Sequence, residues 1–216
     1  MTRALAAGLI ALALASTPLQ AQRADSIIER ASATYRALRS LTAQFDQVVS
    51  NEMIGTFTSR GTLAQAGASR LSMRFSDPPG EAIVIDGTFV WLYTPSTAPG
   101  QVLRAPIASA AGYGVNLLGW LLDRPAERYA ITFLRTDRVA GTPVDVLRLQ
   151  PAVDGLPFTS ATLWLGQGDA LPRRLEVSEP SGNQRTLTLS RIRTNVDLPA
   201  GTFTFTPPAG VKVITQ

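Results

Sequence analysis

Residues 69–95, SRLSMRFSDPPGEAIVIDGTFVWLYTP, restrict the fold more than any other stretch of this chain. Leu71, Met73 and Phe75 alternate with Arg70, Ser72 and Arg74, the period of two expected of a strand with one apolar and one basic, wet face. After the Pro78-Pro79-Gly80 break, residues 82–85 and 89–93 are apolar at nearly every position. Asp86-Gly87 between them favours a tight hairpin turn. A sheet that is one-sided at its first strand and apolar on both faces at the next two must be covered, or must hold something.

The N-terminus reads as a secretory signal peptide. Arg3 precedes an uninterrupted apolar run over residues 4–15, and the helix-breaking Pro18 lies between the small residues Ser16 and Ala21. The run is shorter than the roughly 20 residues a membrane span needs, so residues 1–21 are expected to be cleaved. Residues 22–216 then form a single domain that works in the periplasm. The chain has no cysteine, so the domain has to be held by its core alone, without disulfides or a lipid-bearing thiol. Its 20 basic residues exceed its 16 acidic ones only mildly, and all but Lys212 are arginine. No basic run with interleaved aromatics argues for nucleic acid.

The mature chain is expected to open with a helix, because Ser26 and Glu29 fit a capping box and Ile27, Ala31, Tyr35 and Leu38 recur at helical spacing. From Leu41 the period changes to two: Leu41, Ala43 and Phe45 alternate with Thr42, Gln44 and Asp46. A second strand over 54–64 carries Phe57 and Leu63. Beyond Arg124-Pro125, short segments at 129–134, 144–149, 160–165, 173–178 and 186–192 are bounded by turn residues, as in an antiparallel meander.

Residues 107–122 have a different texture, rich in alanine and glycine before Leu117, Leu118, Leu121 and Leu122. Those leucines share one helical face, and the glycines weaken any single long helix. Two short helices with a flexible joint are expected. They form either a part of the core or a movable apolar lid. The Gly112-x-Gly114 pair does not match a phosphate-binding loop.

Catalytic machinery is not legible. Without histidine or cysteine the chain lacks the common general base, the thiol nucleophile and most transition-metal ligands, so neither a cofactor nor a metal is expected and the chain does not read as an enzyme. Asp77, Asp86, Asp123, Glu127 and Asp154 sit at turns, where capping is their ordinary role.

Three pieces carry a resemblance: SLTAQFDQ at 40–47, the IDG and VWLY segments with Pro95 at 85–95, and LPAGTFTFTPPAGVKVI at 198–214. In this order, after a signal peptide, they resemble the LolA family of periplasmic outer-membrane lipoprotein carriers over essentially the whole mature chain. The resemblance implies a mainly β (α+β) fold: an unclosed, curved antiparallel half-barrel with an N-terminal helix and short lid helices over its concave apolar face. It also implies that Phe45, Phe57, Leu71, Met73, Phe75, Ile83, Ile85, Trp91 and Tyr93 face acyl chains of lipoprotein cargo. Leu117, Leu118, Leu121 and Leu122 would be the lid. The implied partners are an inner-membrane lipoprotein-releasing ABC transporter and, where present, an outer-membrane acceptor, the carrier itself being a monomer. The family's Arg-Pro pair, whose arginine latches the lid, is replaced here by Gly67-Ala68. Arg70 is the candidate substitute, with Arg74 behind it, against the plain reading of both as solvated outer-face residues. Similar half-barrels also serve as soluble lipid- or glycolipid-binding or lipoprotein-sensing modules, and the sequence leaves that alternative open.

Overall fold

The computed structural model describes residues 17–67, 69–107 and 116–216. Residues 1–16, which belong to the expected signal peptide, Ala68, and the first of the two expected lid helices with Gly112 and Gly114 lie outside them. Helix α1 (Thr17–Ala37) precedes strands β1 (Leu41–Asn51), β2 (Gly55–Ala66), β3 (Arg70–Asp77), β4 (Pro79–Asp86), β5 (Phe89–Tyr93) and β6 (Gln101–Pro106). Helices α2 (Leu117–Leu122) and α3 (Pro125–Arg128) follow, then β7 (Tyr129–Val139), β8 (Thr142–Pro151), β9 (Ser160–Gly166), β10 (Pro172–Ser178), β11 (Gln184–Thr194) and β12 (Lys212–Thr215).

The strands form one unclosed, curved sheet in the order β12-β6-β5-β4-β3-β2-β1-β11-β10-β9-β8-β7. Two meanders thus meet where β1 pairs with β11. Every pairing is antiparallel except the last, in which β12 lies parallel to β6, a departure from the wholly antiparallel expectation. It arises because the chain leaving β11 crosses the outer face of the sheet as a strap over residues 195–211 and arrives at the far edge running in the same direction as β6.

One face of the sheet is apolar and packed under helices. Leu41, Ala43 and Phe45 of β1, Leu63 of β2, Leu71 and Met73 of β3 and Ile85 of β4 are each at most 5% exposed. They join one cluster with Ala24, Ile27, Ile28, Ala31 and Tyr35 of α1. Strand alternation puts these residues on one side, and α1 offers its apolar stripe to them. That helix starts earlier than the Ser26 capping box would have it, at Thr17. No glycine or proline interrupts residues 19–25, so the amides a cap would satisfy bond within the helix instead. Arg23 ties α1 to the β7–β8 end, with Nη2 3.3 Å from Asp145 Oδ1 and its guanidinium 3.9 Å above the Phe133 ring. Gln65 donates from Nε2 to the buried Tyr35 hydroxyl, whose pKa burial pushes up to about 12.

The opposite face explains why β4 and β5 are apolar on both sides. Phe205 of the strap packs on Trp91 and Tyr93 at ring-centre distances of 5.7 and 5.6 Å, and the Arg70 and Arg74 guanidinium groups lie over Phe203 and Phe205. Arg74 Nη2 donates to the Thr204 carbonyl at 2.8 Å. The doubly apolar strands are therefore covered twice, by helices inside and by the strap outside. The Asp86 turn stitches the two strands together: burial works against its carboxylate, but N–H donation from Phe89, from the Trp91 indole and from Thr88 outweighs this and holds its pKa below the usual value.

Candidate functional site

Between α2 and the inner face of β3–β5 lies a cavity of about 160 Å³. Leu71 and Met73 of β3, Ile83 of β4 and Leu92 of β5 form its floor, and Leu117 and Leu118 of α2 its roof. Gln47 and Arg185 lie at one end, where Arg185 is ion-paired with Glu179 at 2.9 Å and Arg185 Nη1 donates to Gln47 Oε1 at 3.3 Å. Apart from these and Asn116 the lining is apolar, and the space is smaller than the roughly 300–1,000 Å³ of ordinary ligand pockets. In this conformation the site is closed.

The expected cavity residues divide into three groups. Leu71, Met73 and Ile83 line the cavity, and Ile85, Phe45 and Phe75 continue the same apolar face beside it, Phe45 and Phe75 meeting edge to face at 5.1 Å. Phe57 has the parity of Leu63 but sits near the β1–β2 turn, beyond the helices, and is 56% exposed; it does not line the cavity. Trp91 and Tyr93 are on the wrong face: Ile83 pairs with Leu92 and Ile85 with Val90, so Leu92 and Val90 point inward while their neighbours lie under the strap. Leu63, Leu92 and Leu187 are lining residues that the sequence reading missed.

Arg70 is also placed away from the lid. It pairs across from Asp86 and stacks on Phe203 on the outer face, which is the solvated-face reading rather than the latch. Other groups hold α2. Ser32 Oγ donates to the Leu122 carbonyl at 2.7 Å, and the Tyr129 hydroxyl to the Trp120 carbonyl at 2.7 Å. Arg128 adds a longer bond to the same carbonyl at 3.4 Å and lies 4.9 Å over the Trp120 ring. Burial pushes the Tyr129 pKa to about 12, so the hydroxyl remains a donor at neutral pH. At the other end Asn116 accepts from Gly119 N–H at 3.0 Å, and a Cβ at position 119 would come within 2.7 Å of the Asn116 amide. Gly119 is thus required by the cap and does more than loosen the helix.

Tyr129→Phe removes one of these bonds without changing the ring. Losing a net contribution of about 1 kcal/mol should raise amide exchange across α2 about fivefold and leave exchange in β8–β9 unchanged. Equal exchange in α2 would show that this hydroxyl does not hold it.

Leu117, Leu118, Leu121 and Leu122 are all at most 8% exposed. Burying four leucine side chains is worth about 6–12 kcal/mol, while an acyl chain of about fifteen methylenes gains about 12 kcal/mol on leaving water. A fatty chain entering under α2 therefore offsets the contacts it displaces. An apolar face under a helix of six residues is suited to sheltering such a chain.

Residues 36–206 match the family model described as outer membrane lipoprotein carrier protein LolA. The chain belongs to that family. It is 28% identical over 207 residues to an outer-membrane lipoprotein carrier protein of Alkalilimnicola ehrlichii, covering 95% of this chain and 91% of that one. Among solved structures, an uncharacterized conserved protein of Thermus thermophilus matches with a TM-score of 0.57 at 15% identity, over 90% of this chain and all of that one. The Mycobacterium tuberculosis lipoprotein LppX matches with a TM-score of 0.50 at 12% identity, over 82% of this chain and 98% of the other. These last two bear on the LolA-type fold alone.

Proposed function

We propose that this LolA-family protein is a periplasmic lipoprotein carrier that shelters the acyl chains of its cargo on the inner face of β3–β5, with α2 as the element they displace. The observation that carries this reading is the cavity itself, floored by Leu71, Met73, Ile83 and Leu92 and roofed by a short helix. Residues 1–21 direct export and are removed; a chain starting at Gln22 keeps Arg23 and the whole apolar stripe of α1. Cargo comes from an inner-membrane lipoprotein-releasing ABC transporter and passes to an outer-membrane acceptor where one exists. The carrier acts as a monomer and performs no chemistry. No energy source is needed at the carrier, because apolar contacts with α2 are exchanged for apolar contacts with the chain.

The test is to mix the mature protein with a synthetic peptide bearing a diacylglyceryl cysteine and to record native mass spectra. A one-to-one complex is expected with the acylated peptide and none with the same peptide lacking acyl chains. Binding of both alike, or of neither, overturns the proposal.

A further inference from the structure

The outer face carries a second concavity, with opposite chemistry. Beside the strap lies a groove of about 670 Å³ lined by Arg74, Arg191 and Arg193, by Thr42, Gln44 and Ser72, and by residues 198–202. Among the described residues no acidic one lines it. Asp46 follows Gln44 by two positions on β1 but is not among the lining residues.

Three further observations separate this groove from an ordinary solvated arginine surface. The Arg191 and Arg193 side chains have no ion pair, hydrogen bond or ring contact with any described residue, and the Thr42, Gln44 and Ser72 side chains make no hydrogen bond among the described residues. Ser72 is only 3% exposed, so a nearly buried hydroxyl opens into the groove unpartnered. Finally, the chain is bent to put both arginines there. The register of β1 on β11 slips between Thr42–Arg193 and Gln44–Ser190, making a bulge in which Arg191 takes a φ of 50°. That left-handed conformation suits glycine and strains an arginine. The bulge turns Ile192 to the core while Arg191 and Arg193 both reach the groove.

Guanidinium groups flanked by hydroxyl donors, with no carboxylate between them, match a tetrahedral oxyanion that accepts several charge-assisted bonds at once. The groove has the volume of a small-molecule site rather than of a single ion. We propose that it binds a phosphoryl-bearing ligand, whose phosphate oxygens bridge Arg191 and Arg193 and whose remainder lies along Thr42, Gln44 and Ser72 beneath the strap. Arg74 serves as the third cation and, through the Thr204 carbonyl, fixes the strap that walls the site. The site lies on the opposite side of the sheet from the acyl cavity, and neither proposal depends on the other.

The phosphate has two chemical sources, a free phosphate or monoester and the diester headgroup of a phospholipid. Calorimetric titration of the mature protein with inorganic phosphate, glycerol phosphate and glycerophosphoglycerol separates them, and none of these probes has an acyl chain to enter the other cavity. Saturable one-to-one binding of at least one probe is expected. It should weaken at least tenfold, about 1.4 kcal/mol, in Arg191→Gln/Arg193→Gln, and stay unchanged in Arg30→Gln on α1. Binding of glycerophosphoglycerol alone assigns a headgroup, and binding of phosphate or the monoester assigns a small phosphate ligand. Arg193→Glu should abolish either and, being exposed, should leave the thermal midpoint unchanged. Absence of saturable binding by all three probes, or equal affinity in the double variant, overturns the proposal.

Discussion

Leu118→Ala is expected to bind a diacylated peptide about tenfold more tightly than the wild-type protein while losing about 2–5 kcal/mol of stability. Leu118 is 3% exposed and forms part of the cavity roof, so truncation removes contacts that exist only while α2 is closed. If the closed state competes with cargo, weakening it raises the population that can accept a chain, and affinity rises in proportion. A helix that is simply part of the core makes the opposite forecast, with affinity and stability falling together. Binding isotherms and urea unfolding of the same preparation separate the two, and a loss of affinity would remove α2 as the gate.

Leu71→Glu is expected to weaken cargo binding at least a hundredfold, equivalent to about 3 kcal/mol, because its carboxylate would stand on the cavity floor without a partner. Leu71 is 2% exposed, so the substitution also strains the closed protein. Burial raises the pKa of such a group above the roughly 4.3 of an unfolded glutamate. The folded state then holds the proton more tightly than the unfolded state, so stability is greatest below that pH and declines as pH rises through the folded value. Urea midpoints should accordingly fall between pH 4 and pH 8 for the variant relative to the wild type. A variant with wild-type binding and no such added pH dependence would place residue 71 away from the site.

Most of the sheet was legible because period-two alternation is imposed locally by the backbone. The extents of β5 and the inward parity of Leu71, Met73 and Phe75 follow directly from it. The error at Trp91 and Tyr93 was one of hairpin arithmetic. An Asp-Gly turn joins its strands by a loop of even length, so odd residues of β4 pair with even residues of β5, and Ile83 and Ile85 cannot share a face with Trp91. Leu92 was recoverable by the same count. The strap, the parallel seat of β12 and the bonds from Ser32 and Tyr129 to α2 were not recoverable, since each joins residues about 10 to 130 positions apart or depends on where the chain crosses the sheet. The early start of α1 was missed for another reason: a capping motif is permissive, and a favourable upstream sequence overrides it.

In the proposed mechanism cargo acyl chains occupy the inner face of β5, and Leu92 and Trp91 are adjacent residues on its two faces. The most direct measurement places a photo-crosslinking phenylalanine derivative at each position in turn and irradiates the protein with a diacylated peptide tagged on its acyl chains. Crosslinking from position 92, with none above background from position 91, is the predicted result. Crosslinking from 91 in preference to 92, or from neither while the peptide is bound, would contradict it.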